Sequence, residues 1–478
     1  MINYSNKIGV KQLSYHETIS NIIEQKRKKL VHVSDKIWGF YETKYEEFQS
    51  AALLCTTLEE EGFQVKRHAG DIETAFVGSY GSGKPVIAIL GEYDALPGLS
   101  QKAGVATKEA IVEGGNGHGC GHNLLGSGSL AAAIAIRHYM EQNGLKGTVR
   151  YYGCPAEEGG GGKAHMARAG LFNDVDIAFT WHPWDENLAY NARMLATSQV
   201  YFKFKGLSTH ASFSPHLGRS ALDAVELMNV GANFLREHII PDARLHYAIT
   251  NAGGSAPNVV QAEAEVLYKI RAPKMHQVSE ISERIFNVAR GAALMTGTQV
   301  DIQFDGASAD LIPNITLGSL MHNHFKQIGA ESYTQEEIDF SKSIQATFSE
   351  EEKKAIRNNN GKVLSDKVNE YSFEPGFLAS STDVGDVSWI VPTGQIYVAT
   401  CAFGSPFHSW QLVAQGKSSI AHKGMLLAGK VIAASAIEAM QNPELIEKAK
   451  AEHKKQLGGE VYQSLIPLGV KPSPIRRA

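Results

Sequence analysis

The sequence predicts an α/β catalytic domain, a mostly parallel sheet with helices on both faces, that carries an inserted α+β domain. Three observations predict it. Apolar strands run repeatedly into glycine- or proline-containing turns; long apolar helical segments alternate with those strands; and between about Leu195 and Leu311 the pattern changes to strands with one polar face.

Taken in order, apolar residues at helical spacing (Ile37, Phe40 and Tyr41, then Phe48, Ala51, Ala52, Leu54 and Leu58, ending at Gly62) predict two packing helices. "KPVIAIL" then leads into "GEYDALPG", "TVRYYGC" into "PAEEGGGG", "DIAFT" into "WHP" and "GQIYVATCAF" into "GSPFHSW". Each strand delivers acids or histidines in the turn that follows it. In open α/β sheets ligands collect outside the carboxyl ends of the strands, so these turns predict one shared site. "GSYGSGKP" has only part of a phosphate-loop spacing and reads as a hairpin turn. Within the insert, "TSQVYFKFKG" and "AEAEVLYKIRAP" alternate as half-buried strands around the amphipathic "SALDAVELMNVGANFLREHI". The domain organisation is therefore catalytic segments 1–194 and 312–478 around an insert at 195–311. The polar stretch from about Ile338 to Glu370 reads as a solvated surface excursion.

With 43% hydrophobic residues and a net charge of −4, the 478-residue chain can bury a large core and carries no basic excess for nucleic acid or anionic membranes. Its four cysteines are too scattered for a disulfide framework, the N-terminal thirty residues have no apolar leader core, and no segment reads as a membrane span. A cytoplasmic protein without nucleic-acid or membrane partners is expected.

The chemistry starts at "GNGHGCGHNLLG", where His118, Cys120 and His122 alternate among glycines in what reads as a loop unable to support a helix. Glu157 and Glu158, His182 and His408 join them from the other strand ends. Thiolate, imidazole and carboxylate are ligands of zinc and related metals, and one thiolate, three imidazoles and a carboxylate serve two ions if the thiolate bridges them. His118 stays open between ligand and turn-bonding residue. Of the adjacent glutamates, Glu158 reads as the ligand and Glu157 as a free base, because two uncompensated carboxylates would repel. Cys55, Cys154 and Cys401 read as small core residues, and His165, His216, His238 and His246 as structural or surface residues.

Nearly the whole chain, through "GEYDALPG", "GHGCGHNLLG", "GCPAEEGGGG" and "FHSW" in this order, resembles the two-metal amidohydrolases that include carboxypeptidase G, the aminoacylases and the auxin-conjugate hydrolases. "SPHLGRSALDAV", "NVVQAEAEVLYKIRAP", "STDVGDVSW" and "SIAHKGMLLA" are similar to the aminobenzoyl-glutamate hydrolase branch of that family. The resemblance implies hydrolysis of p-aminobenzoyl-glutamate to p-aminobenzoate and glutamate in folate breakdown. It implies two divalent metal ions, manganese or zinc, with Cys120 bridging, His122 and His182 on one ion and Glu158 and His408 on the other, and Glu157 as base. Asp94 would orient a ligand imidazole. His210 would reach a neighbouring subunit's site to stabilise the tetrahedral oxyanion, and Asn258 and Arg271 would hold the substrate's amino-acid portion. The insert would be a lid and dimerisation domain, in a homodimer or with a homologous second chain. Asn123, where the auxin-type relatives carry Asp, and Glu92, at a position that varies between branches, depart from the wider pattern. Two other readings fit the residues: hydrolysis of another N-acyl amino acid or dipeptide, and a noncatalytic, metal-stabilised partner subunit, which has no use for a free Glu157.

Overall fold

The computed structural model describes residues 14–189, 191–357 and 361–474. The first thirteen residues of the leaderless N-terminal stretch lie outside them. Helices Tyr15–Phe40 and Phe48–Glu60 form where the helical spacing predicts them, the first opened by a Ser14 and Glu17 capping box that satisfies two otherwise free backbone amides.

The main sheet has seven strands in the spatial order Gln64–Arg67, Phe76–Ser82, Gly147–Cys154, Val86–Glu92, Ile177–Trp184, Thr393–Ala399 and Leu188–Ala189. Its four central strands, from Gly147–Cys154 to Thr393–Ala399, are parallel; the flanking pairs are antiparallel, which makes the whole sheet mixed. Val86–Glu92 is buried at every position, as a strand covered on both faces requires. Helices His122–Asn143 and Ser419–Gln441 pack against each other within the largest core cluster.

The structure corrects several expectations. Ser82 and Val86 do not flank a hairpin, because strand Gly147–Cys154 lies between the two strands and pairs antiparallel with one and parallel with the other. Ser419–Gln441 is long and apolar enough to cross a membrane by length and composition, contrary to the expected absence of such a segment. However, 89% of its apolar window is buried, so its apolarity serves the core. The stretch after Ile338 is not a plain surface excursion: Ile344 and Phe348 are buried in a small cluster with Ala414, and Glu337 at its start bonds Ser419 and Lys423. Residues 358–360 of that stretch lie outside the described residues.

A second, antiparallel sheet orders strands Gln299–Ser308, Ala196–Lys205, Glu263–Ala272 and Arg244–Asn251. Its apolar face packs on helices Ala221–Leu235 and Met275–Thr296 around Phe202, Phe204, Val266, Tyr268 and Ile270. Alternation along Glu263–Ala272 buries the even-numbered residues there and turns Lys269 and Arg271 to the opposite face.

Candidate metal centre

Three strand ends and two loops build the site. Strand Val86–Glu92 ends at Glu92 and hands over to Asp94, and strand Gly147–Cys154 hands over to Glu157 and Glu158. His182 lies within strand Ile177–Trp184 and not in a turn beyond it, a correction that fixes its backbone in the sheet ladder beside Tyr397. His122 is likewise not in a loop. It is the first residue of the helix that runs to Asn143, and the glycine loop ends one residue earlier at Gly121, whose φ of 78° lets the chain turn from Cys120 into the helix. The turn at the two glutamates is held by buried Glu47, whose carboxylate accepts the backbone N–H of Ala156 at 2.9 Å and supports that residue's left-handed φ of 59°.

Among the described residues, ligand atoms converge within 4.8 Å in three sets: Cys120, His122 and His182; Cys120, Glu158 and His408; and Glu92, His122 and Glu157. The first two share the Cys120 sulfur. Sγ lies 3.5 Å from His182 Nε2, and Glu158 Oε2 lies 3.3 Å from His408 Nε2. Asp94 ties the sets together: one oxygen is 2.8 Å from His122 Nδ1 and the other accepts the Glu158 backbone N–H at 2.9 Å. With Nδ1 so engaged, His122 Nε2 is left facing the cluster, and it and Glu158 Oε1 are buried without a hydrogen-bond partner. Buried polar atoms are seldom left unpaired, and two of them in a thiol, imidazole and carboxylate cluster fit a dinuclear metal site.

The electrostatics agree. Burial and the Glu158 carboxylate push the Cys120 thiol well above its ordinary range, so a thiolate here calls for cations. Burial and the neighbouring His122 bring His182 down to about 4, leaving a neutral imidazole. Burial opposes charge on Glu158, but its hydrogen bond with His408 and the His122 charge prevail and hold it at about 2. Burial and the carboxylates of Glu92, Glu158 and Asp383 push Glu157 well above the usual range.

His118 is outside the cluster: its Nε2 bonds the Ile37 carbonyl at 3.0 Å, and burial lowers it to about 4. Asn123 is structural too, donating to Ser34 Oγ and the Gly416 carbonyl. Two residues, Lys163 and Asp383, escaped the sequence reading. Lys163, fully buried, pairs with Glu92 at 2.7 Å and with Asp383. Glu92 and Asp383 thereby share one cation at the cavity floor. Lys163 follows the glutamates by only five residues, but a lysine in a glycine-rich turn reads as solvated until its buried partners are known.

The cluster opens into a cavity of about 540 Å³. Trp184 and Phe407, stacked with ring centroids 4.7 Å apart, form one wall with Tyr397. The inserted sheet supplies the facing wall through Thr197, Gln199, Lys269 and Arg271. His210 and Asn258 are not among the residues that line the cavity. They sit together beyond the far ends of strands Ala196–Lys205 and Glu263–Ala272, where the Ala211 N–H bonds the Asn258 carbonyl at 2.9 Å and His210 bridges to Val259. Both are exposed.

A model of "Peptidase family M20/M25/M40" matches residues 88–467. The chain belongs to that family. It is 50% identical over 474 residues to a p-aminobenzoyl-glutamate hydrolase polypeptide of Escherichia coli (strain K12), covering 96% of this chain and 98% of the relative. To Xaa-Arg dipeptidase of Mus musculus it is 30% identical over 454 residues, 92% of each chain. The solved aminobenzoyl-glutamate utilization protein from Klebsiella pneumoniae shares the fold, with a TM-score of 0.53 at 16% identity over 85% of this chain and 98% of that one. Family membership and the two ligand sets that meet at Cys120 make the M20 protein a metal-dependent amidohydrolase or peptidase.

Proposed function

We propose that the chain hydrolyses p-aminobenzoyl-glutamate to p-aminobenzoate and glutamate. The observation that carries this reading is a single cavity with a stacked aromatic wall on one side of the ligand cluster and a cationic wall on the other. An aromatic acyl group and an acidic amino acid, joined through an amide over the cluster, match those two walls. The half-identical relative from Escherichia coli bears the name of that activity. A basic leaving residue, as in the name of the mouse relative, would meet Lys269 and Arg271 with like charge.

Cys120 would bridge two ions, with His122 and His182 on one and Glu158 and His408 on the other. Manganese or zinc suits this mixed set. Such ions polarise the scissile carbonyl and favour ionisation of the attacking water. Glu157 takes a proton from that water and delivers it to the glutamate nitrogen as the carbon–nitrogen bond breaks; its raised proton affinity suits holding the proton between the two steps. Asp94 orients His122 through Nδ1. Arg271 grips the α-carboxylate. His210, and Asn258 beside it, would serve the site of a neighbouring copy or of a homologous second chain, with 195–311 acting as the lid. The unpaired edge strand Arg244–Asn251, with Tyr247 and Ile249 exposed, and the Phe234 side of helix Ala221–Leu235 suit such a contact. Four free, buried cysteines suit the reducing cytoplasm.

The test is to assay metal-reconstituted protein against a panel of N-acyl amino acids. Release of p-aminobenzoate, with acidic leaving residues preferred, is expected; preference for lysine or arginine would overturn the substrate and leave the amidohydrolase chemistry standing.

A further inference from the structure

Lys269 is unusual among the cations of this molecule. Strand alternation turns it, with Arg271, away from the insert's core and into the cavity. Among the described residues neither side chain has a hydrogen bond or ion pair. The nearest acid of the insert, Asp305, is already engaged, receiving Lys44 Nζ at 2.8 Å and Gln199 Nε2 at 2.7 Å. On the floor, Glu92 and Asp383 share Lys163. Glu157 and Glu158 are committed to the reaction under the reading above. Two cations therefore face the cavity with no protein carboxylate of their own, in a protein that otherwise pairs its buried charges. Desolvating a charge without a partner is costly, and such a cost is sustained where a ligand supplies the partner.

The spacing defines that ligand. Residues two apart on a strand lie about 7 Å apart, and two long side chains from such positions can converge on groups separated by a few bonds. A lone α-carboxylate would use Arg271 and leave Lys269 unpaired. A dicarboxylic amino acid satisfies both.

We infer that Lys269 is the specificity-determining residue for the leaving amino acid, binding its side-chain carboxylate while Arg271 holds the α-carboxylate, so that the site selects N-acyl derivatives of dicarboxylic amino acids. Burial and the adjacent Arg271 guanidinium lower the Lys269 pKa, and an arriving carboxylate opposes both effects by stabilising the ammonium. The inference rests on the proposed amidohydrolase reading and deepens it.

The experiment compares p-aminobenzoyl-glutamate with p-aminobenzoyl-glutamine, which keeps the shape and α-carboxylate but lacks the second charge. The wild-type enzyme should favour glutamate by roughly ten- to a hundredfold in kcat/KM. Lys269→Met should abolish that preference by raising KM for the glutamate substrate alone, Lys269→Arg should keep most of it, and Lys269→Glu should turn it towards p-aminobenzoyl-lysine. Equal losses on the glutamate and glutamine substrates in Lys269→Met, with Lys269→Arg no better, would overturn the inference. A wild-type enzyme that cleaves neither substrate would instead remove the reading beneath it. If Lys269→Met does not fold, the Lys269→Glu and Lys269→Arg pair decides: an unchanged glutamate preference in both contradicts the assignment.

Discussion

At one end of the inserted sheet, Lys269 and Arg271 turn into the cavity of their own chain; at the other, His210 and Asn258 stand in solvent beside Phe213, which is 86% exposed, and Leu217, 58% exposed. The two ends belong to the same pair of strands, yet only one meets the ligand cluster. The cavity end is polar and enclosed, as a group that grips a charged substrate must be. The far end combines a histidine with bare apolar side chains, the composition of a surface that closes on another chain. The comparison teaches that one sheet serves two sites: its near end recognises substrate within the chain, and its far end completes the site of a second.

The predictions sharpen or break this division. The largest effect belongs to the metal floor that both ends are proposed to serve. If Cys120 bridges two ions, Cys120→Ala should lower metal content from about two per chain and eliminate hydrolysis together. Metal analysis beside an activity assay checks this, and full occupancy in the variant would remove the bridge. Glu157→Gln comes next: turnover should fall by about a hundredfold or more with metal content unchanged. Loss of metal in that variant would mean that Glu157 and Glu158 exchange roles. A smaller effect is expected at the cavity end of the insert, where Arg271→Lys forfeits the paired hydrogen bonds of a guanidinium. The cost should be about 1.5 to 3 kcal/mol, or roughly ten- to a hundredfold in kcat/KM for p-aminobenzoyl-glutamate. A matched amide without the α-carboxylate should lose much less; equal losses would make Arg271 structural.

Much of this site is legible in the sequence because its chemistry is local. A buried parallel strand must be apolar throughout and must end in a turn, so Glu157 and Glu158 announce themselves next to "TVRYYGC". The period of two in "VLYKIR" also puts residues 269 and 271 on one face, so Lys269 lies within reach of the same reasoning that singles out Arg271. Tertiary partners are a different matter. Nothing in "GHGCGH" separates His118, bonded to Ile37, from His122, bonded to Asp94, since both look like loop histidines until the first helix and the strand end come together. Lys163 and the stacked Trp184 and Phe407 pair are hidden in the same way: their roles come from residues more than two hundred positions away. Strand order is equally nonlocal. "GSYGSGKP" has hairpin residues, but the strand that separates its two flanks begins only at Gly147.

The division of the inserted sheet between two sites is tested most directly by mixing two inactive proteins, His210→Ala and Glu157→Gln, under conditions in which their chains exchange. In a two-fold dimer each mixed pair has one site with both defects and one with neither, so random exchange should restore about a quarter of wild-type activity. Recovery to that level is the expected result. No recovery, with exchange demonstrated by a size-tagged chain, would contradict the account and leave His210 without a role in a neighbouring site.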